Sequence, residues 1–216
     1  MIVEIWSDFE CPFCYIGKRR FEKGLELFPY KEKVTVEFRS FQLDPSEKNP
    51  AHDIHDVVAI KTGMSREEAR AMNQQLAEQA EAVGLNLRFD EIIPANTLNA
   101  HRLVMFAEQY DKKAEAVERL FKAYFSESKD IDDLETLAEL GREIGLDYEK
   151  VMEMLKSTQL IEDVRAEGRE GSRLGATGVP FFVINRKYAI SGAQPSDVFL
   201  KVLQKAWAEE HEATVN

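Results

Sequence analysis

The sequence predicts an α/β protein whose sheet is interrupted by a large all-helical insertion. Three observations support this fold class. The chain opens with a strand-helix-strand pattern, residues 44–157 show helical periods and no convincing strand, and the remainder follows the order helix-strand-strand-helix. The predicted domains are therefore a discontinuous one, residues 1–43 and 158–216, and an inserted helical one, residues 44–157.

The first strand leads into the only two cysteines of the protein. Residues 2–6 form this apolar strand, and Cys11-Pro12-Phe13-Cys14 follow at the predicted start of a helix. Proline suits a first helical turn because it needs no N–H bond and its φ is already helical. The unpaired N–H groups of a helix N-terminus favour negative charge, so a sulfur placed there is stabilised as thiolate.

Apolar spacing gives the two sulfurs different positions. Cys14 begins a stripe that recurs every three or four residues and continues with Gly17, Phe21, Leu25 and Phe28. Cys14 is therefore expected to face inward, and Cys11, before the first turn, is expected to be the accessible sulfur. Residues three apart on a helix lie close enough to form a disulfide after a small adjustment. The pair predicts a dithiol that opens and closes.

A zinc half-site and a pair of inert core cysteines are the alternatives to redox chemistry. Zinc would need two further ligands, and the four histidines show no spacing that points back to the motif; they are His52, His55, His101 and His211. A C-x-x-C pair beside a β-α-β pattern is typical of a thioredoxin-like redox motif. The sequence thus favours redox chemistry, with no metal and no bound cofactor.

The second strand places the dithiol at the edge of a parallel sheet. Residues 34–41 alternate between apolar and polar, and the long helix before them makes this strand a parallel neighbour of the first. Sheets of this kind carry their chemistry beyond the carboxyl ends of the strands, so residues 8–14 lie at the expected cleft.

Capping signals divide the inserted segment into helices. A small polar or acidic residue that precedes an apolar-periodic run satisfies the free N–H groups of the first turn. The predicted helix starts are Ser65 with Glu68, Asn96 with Thr97, Asp132 with Glu135 for a helix that ends at Gly145, and Asp147.

The last part of the chain returns to the sheet. Residues 159–174 have helical spacing and carry glycines, which suggests close approach to the sheet. Residues 181–184 and 188–191 read as a β-hairpin joined by a short turn, and Pro180 precedes its first strand. A final helix begins near Pro195.

The bulk composition excludes some partners. With 28 basic and 39 acidic residues the net charge is −11, which disfavours nucleic acid and anionic membrane surfaces. No apolar segment approaches the roughly 20 residues needed to span a bilayer, and no secretory signal is visible. The expected location is the cytoplasm, where a disulfide is more often transient than structural.

Four motifs resemble those of one protein family. They are residues 11–19, CPFCYIGKR; 96–102, NTLNAHR; 178–182, GVPFF; and 190–194, ISGAQ. On these motifs the sequence resembles the DsbA family of thioredoxin-fold proteins, and most closely its FrnE-like branch. The resemblance implies a thioredoxin-like fold with a helical insertion between the second strand and the helix before the cis-proline strand.

The resemblance also implies the roles of the site residues. Cys11 would be the attacking thiol of a thiol-disulfide oxidoreductase or isomerase, and Cys14 would resolve the mixed disulfide. Pro180 would be a cis-proline that faces the dithiol, and the backbone of Val179 would pair with an extended substrate segment. The implied partner is a disulfide-containing protein or a small thiol.

Two further functions stay open. The resemblance extends to glutathione-dependent 2-hydroxychromene-2-carboxylate isomerases and kappa-class glutathione transferases, which typically have serine at the position of Cys11. Glutathione is thus a possible co-substrate, and Asp197 could hold its amine or simply be an acid at a helix N-terminus. A non-enzymatic module that binds peptide in the cleft is the third reading.

Three other features have two readings each. Asp8 could move protons for Cys14 or cap the turn before the helix. His101 could be a proton shuttle or a hydrogen-bonded interface histidine. The basic run at residues 18–20 is expected to form a solvated face.

Overall fold

The structure is a computed structural model and describes residues 1–45 and 53–212. His52, considered above as a zinc ligand, lies outside the described residues. The chain forms two compact units: a first unit of Met1–Phe41 with Glu167–Asn216, and a second unit of Gln42–Ala166. The sequence pattern predicts the return to the first unit at residue 158, whereas in the structure the first unit resumes at Glu167, within a helix.

The secondary-structure elements are numbered in chain order. The strands are β1 Ile2–Ser7, β2 Thr35–Ser40, β3 Phe181–Ile184 and β4 Tyr188–Ser191. The helices of the described residues are α1 Pro12–Glu26, α2 Ile54–Thr62, α3 Arg66–Glu81, α4 Leu98–Glu108, α5 Lys113–Glu127, α6 Leu134–Glu143, α7 Tyr148–Lys156, α8 Ile161–Arg173 and α9 Ser196–Glu212.

The sheet belongs to the first unit and has the strand order β2-β1-β3-β4. Strands β1 and β2 are parallel, as the intervening helix predicts, and β3 runs antiparallel to both β1 and β4. Trp6 at the end of β1 pairs with Phe181 at the start of β3. The β-α-β unit, the hairpin and the α/β fold with a helical insertion are therefore confirmed.

Helix α8 is fixed to the sheet through Glu167 and Gly171. The Glu167 carbonyl accepts a 2.8 Å hydrogen bond from the Trp6 indole, and its carboxylate accepts one of 2.6 Å from the Ser40 N–H. A Cβ at Gly171 would lie 2.6 Å from Trp6 Cδ1, so only glycine allows this approach. The close approach expected from the glycines of this helix is confirmed at Gly171.

Capping organises the second unit much as the sequence predicts. Ser65 and Glu68 form a capping box at the start of α3, and the Asp147 side chain accepts from the Lys150 N–H at the start of α7. The prediction for α6 was wrong at both ends: the N-cap is Asp133, one residue after the predicted Asp132, and the helix ends at Glu143, two residues before Gly145. The N–H of Asp132 instead donates to the Asp130 side chain, which holds Asp132 in the preceding turn.

Arg102 joins two helices inside the second unit. Its side chain extends from α4, is 2% exposed, and donates to backbone carbonyls around the end of α7. The acceptors are Met154 at 2.6 Å, Leu155 at 3.1 Å, Ser157 at 2.8 Å and Gln159 at 2.8 Å, together with the Asn99 side chain at 2.8 Å. Burial lowers the pKa of this guanidinium. Arg102 thus supplies donors to carbonyls at the end of α7 and in the turn after it, where helical hydrogen bonds run out.

Across the described ranges, 1–45 and 53–212, we find no helix of the length and apolarity that a membrane span requires.

Candidate active site

The two cysteines lie at the N-terminus of α1. Cys11 is the N-cap with extended backbone angles, φ −92° and ψ 109°, and Pro12 is the first helical residue. The Cys11 N–H donates to the Asp8 carbonyl at 3.2 Å, and the Cys14 N–H donates to the Cys11 carbonyl at 3.0 Å. The turn from β1 into the helix therefore fixes the backbone of both cysteines, and both are free thiols.

Both sulfurs belong to buried residues. Cys14 is 2% exposed, as its place on the apolar stripe predicts, but Cys11 is only 6% exposed. The expectation that Cys11 is the accessible sulfur was therefore wrong. One cause is visible within the first unit, because Cys11 Sγ lies 3.5 Å from the carbonyl oxygen of Val179 and donates to it. Val179 is remote in sequence, so the periodicity of the helix could not predict that its carbonyl contacts Cys11.

The environment of Cys14 keeps it protonated. Burial raises the pKa of the Cys14 thiol well above its ordinary value, and its hydrogen bond with Cys11 and the charge of Cys11 raise it further. A thiol with a raised pKa is a poor nucleophile at neutral pH, because the thiolate is the attacking species. Cys14 is therefore poorly suited to be the first attacking sulfur.

Val179 and Pro180 lie beside the dithiol. The peptide bond between them is cis, which is the isomer that the family resemblance implies. The Pro180 carbonyl accepts a 2.8 Å hydrogen bond from the Gly192 N–H. Gly17, one turn after Cys14, lies so near that a Cβ on it would be 2.9 Å from Pro180 Cγ. The structure therefore brings together the four residues selected from the sequence.

Asp8 is the acidic residue of this site. It is fully buried, its backbone hydrogen-bonds with Cys14, and the charge of its carboxylate contributes to the raised pKa of Cys14. A carboxylate whose charge acts on a buried thiol is one that could accept the proton that Cys14 must lose before it attacks. The placement is compatible with both readings of Asp8, proton transfer and a local cap.

Removing the charge of Asp8 is expected to make Cys14 ionise at lower pH. In a Cys11→Ser background, Asp8→Asn removes a negative charge that opposes formation of the Cys14 thiolate, so the Cys14 pKa moves down. The ultraviolet absorbance of the thiolate, followed against pH, measures the midpoint. Glu10→Gln is the matched control because it removes one carboxylate charge from the same turn, two residues from Asp8. An unchanged or higher midpoint in Asp8→Asn contradicts this electrostatic assignment.

The two remaining candidates from the sequence are His101 and Asp197. His101 is 2% exposed in α4 of the second unit. Asp197 lies in the first turn of α9, where its carboxylate pairs with Lys201 at 2.9 Å. Among the described residues, no three His, Cys, Asp or Glu side chains group in a way that could hold a metal ion.

The basic run after the dithiol is not a uniformly solvated face, contrary to expectation. Lys18 is 5% exposed and pairs with Glu22 at 2.6 Å. Arg19 donates to Glu22 and to the Tyr15 hydroxyl, whereas Arg20 donates to the backbone carbonyl of Ala193 at 2.5 Å. Residue type alone predicted solvation, but the first two turns of α1 pack against the rest of the unit.

The chain was compared with protein-family models and with known proteins, and it matches one family model and one protein over most of its length. The family model described as "DSBA-like thioredoxin domain" matches residues 2–204. The protein YwbO of Bacillus subtilis (strain 168), described as uncharacterized, is 31% identical over 204 residues, which cover 93% of this chain and 94% of YwbO.

Solved structures show the same architecture. The probable DsbA oxidoreductase SCO1869 from Streptomyces coelicolor is 41% identical, with a TM-score of 0.92 and coverage of 97% of this chain and 91% of SCO1869. A 2-hydroxychromene-2-carboxylate isomerase has a TM-score of 0.70 at 18% identity and covers both chains completely, at 100% each. At that identity the second likeness concerns the fold alone.

Proposed function

The chain belongs to the family of DSBA-like thioredoxin domains, and from this we propose that it is a thiol-disulfide oxidoreductase that uses Cys11 and Cys14. The observation that supports the proposal most is that the two cysteines lie next to the Val179–Pro180 segment, with Cys11 Sγ 3.5 Å from the Val179 carbonyl oxygen. A metal site or a structural cysteine pair has no need of that arrangement.

The proposed reaction has two exchange steps. The Cys11 thiolate attacks one sulfur of a substrate disulfide, the S–S bond breaks, and the departing substrate sulfur takes up a proton. Cys14 then loses its proton and attacks the Cys11 sulfur of the mixed disulfide. The products are a Cys11–Cys14 disulfide and a second substrate thiol, so two electrons and two protons have passed from the dithiol to the substrate. The reverse sequence would oxidise a substrate dithiol.

The burial of Cys14 sets the order of these steps. Its raised pKa keeps it as a thiol until Cys11 has captured a substrate. Formation of the mixed disulfide removes the charge on Cys11 that opposes ionisation of Cys14, and the Asp8 carboxylate is nearby to take the proton. Attack by Cys14 on the mixed disulfide is therefore favoured only after Cys11 has bound the substrate covalently.

We assign substrate binding to the backbone of Val179 and the ring of Pro180. An extended segment that runs past the dithiol would pair with the main chain of the half-buried Val179, as in strand addition to a sheet. The proposed substrates are disulfide-containing proteins or small thiols, and the proposed compartment is the cytoplasm, whose thiol pool suits a transient disulfide. Glutathione is the proposed co-substrate that returns the pair to its reduced state.

A glutathione-dependent isomerase is the second candidate function. Its support is the fold that this chain shares with the 2-hydroxychromene-2-carboxylate isomerase. The intact Cys11 and Cys14 pair favours the oxidoreductase, because isomerisation through bound glutathione does not need a second protein thiol.

The test of the proposed function is a redox titration of the wild-type protein joined to a turnover assay. In glutathione buffers of graded ratio, we expect one reversible disulfide, seen as a mass loss of two hydrogens, and catalysed reduction of an insulin disulfide with glutathione as reductant. Protein alkylated at both cysteines is the control. Peptide binding without disulfide formation or turnover would instead identify a binding module.

A further inference from the structure

The segment after β4, residues 191–194, has no role in the reaction as described so far. It forms a bend that is held by its own hydrogen bonds. Gly192 has a positive φ of 78°, which suits glycine. The Gln194 N–H donates to the Gly192 carbonyl at 2.9 Å, and the Gln194 side-chain amide donates to the Ser191 carbonyl at 2.9 Å. The bend is therefore a defined structure whose shape does not depend on substrate.

This bend connects the dithiol helix to the cis-proline. On one side the Gly192 N–H donates to the Pro180 carbonyl at 2.8 Å. On the other side Arg20 Nη1 of α1 donates to the Ala193 carbonyl at 2.5 Å. The helix that carries Cys11 thus holds the bend through Arg20, and the bend holds Pro180.

Gly17 of α1 also packs against both Pro180 and the bend. A Cβ on Gly17 would lie 2.9 Å from Pro180 Cγ and 3.4 Å from the Ala193 backbone. Helix α1 therefore contacts both the proline ring and the bend directly. Gly17 sets how closely α1 approaches the proline ring and the bend. Arg20 is the charged donor that hydrogen-bonds the bend to α1.

We propose that Arg20 is a positioning residue for extended disulfide substrates. It acts through Ala193 and Gly192 to fix the main chain of Val179 relative to Cys11. The inference rests on the proposed function and adds a residue that touches neither the sulfurs nor the substrate. Hydrogen bonds to an incoming strand depend steeply on donor-acceptor distance and angle, so a loosened Val179 binds such a substrate more weakly.

The two classes of disulfide substrate should respond differently. A peptide disulfide needs both the Cys11 sulfur and the Val179 main chain. A small aromatic disulfide such as 5,5′-dithiobis(2-nitrobenzoate) has no peptide backbone and needs the sulfur alone. Loss of the Arg20 contact is therefore expected to raise KM for the peptide and to leave the small disulfide almost unaffected.

The experiment compares Arg20→Ala, Arg20→Lys and Arg19→Ala with wild type on both substrates. For the peptide disulfide we expect Arg20→Ala to lower kcat/KM about tenfold, mainly through KM, which corresponds to about 1.4 kcal/mol. For the small disulfide the change is expected to stay below about twofold. Arg20→Lys keeps a charged donor and should recover most of the loss. Arg19→Ala is the matched control, because it removes the same charge from the neighbouring residue and leaves the Ala193 contact in place.

Three results would overturn the inference while leaving the proposed function intact: an equal loss on both substrates, no loss on the peptide, or a loss in Arg20→Lys as large as in Arg20→Ala. If Arg20→Ala does not fold, judged by its thermal midpoint, Arg20→Gln takes its place with the same expectations. A wild-type protein that reduces neither substrate overturns the proposed function and this inference together.

Discussion

Replacing Cys11 with serine is expected to abolish disulfide reduction, with a loss of roughly three orders of magnitude or more, as is usual when a nucleophile is removed. A serine hydroxyl does not attack a disulfide sulfur at neutral pH. Cys14 cannot replace Cys11 as the attacking nucleophile. Cys14 is 2% exposed, and burial and its contact with Cys11 raise its pKa. The measurement is the rate of insulin reduction with glutathione as the final reductant.

The corresponding variant of the second cysteine, Cys14→Ser, should still react with the substrate but fail to release it. It is expected to accumulate covalent adducts through Cys11, because capture proceeds and the resolving thiol is absent. Non-reducing gels with mass spectrometry identify the trapped species. Protein adducts support a protein disulfide oxidoreductase, whereas glutathione as the sole adduct would favour the glutathione-dependent reading. Full activity of Cys11→Ser, or equal adduct yields in the two variants, would contradict the assigned roles.

The largest effect on stability is expected from Arg102→Ala. The substitution removes the Arg102 donors from the carbonyls of Leu155, Ser157 and Gln159, whereas the Met154 carbonyl keeps its hydrogen bonds from Ser157. The loss of hydrogen bonds to these buried and partly buried carbonyls, together with the space left by the side chain, costs about 3 to 5 kcal/mol of the free energy of unfolding. Urea denaturation followed by circular dichroism measures the loss.

Arg142→Ala is the control for this substitution. Arg142 pairs with Glu139 on the surface of the same unit, and its side chain is 66% exposed. The expected change is within about 0.5 kcal/mol, the usual range for an exposed ion pair. Equal effects of the two substitutions would show that the carbonyl contacts of Arg102 contribute little to the stability of the second unit.

Most of the fold could be predicted from local patterns in the sequence. The alternating pattern of β2, the capping box at Ser65 and the proline at the first position of α1 each depend on residues within one element or its ends. The dithiol was identifiable for the same reason, because C-x-x-C at a helix start is a local motif. The inward position of Cys14 followed from the helical stripe that it begins.

The features that the sequence did not predict depend on contacts between distant residues. Cys11 is covered by Val179, which lies 168 residues away along the chain. Arg20 meets Ala193 across 173 residues, and neither residue type signals that contact. Lys18 is buried although its charge suggests solvation, because helix packing overrides the preference of a single side chain. Periodicity shows which face of a helix is buried but does not identify what covers it.

The discontinuous first unit also bears on the order in which the chain is made. Strand β1 pairs with β3 and the dithiol meets Pro180, yet residues 42–166 are synthesised between these partners. At roughly 5 to 20 residues per second, that segment takes on the order of ten seconds to emerge. During this interval β1 has only β2 as a partner, and two strands alone are marginally stable. On every nascent chain, Cys11 therefore lacks its contact with the Val179 carbonyl until the whole of this segment and the start of β3 have been synthesised.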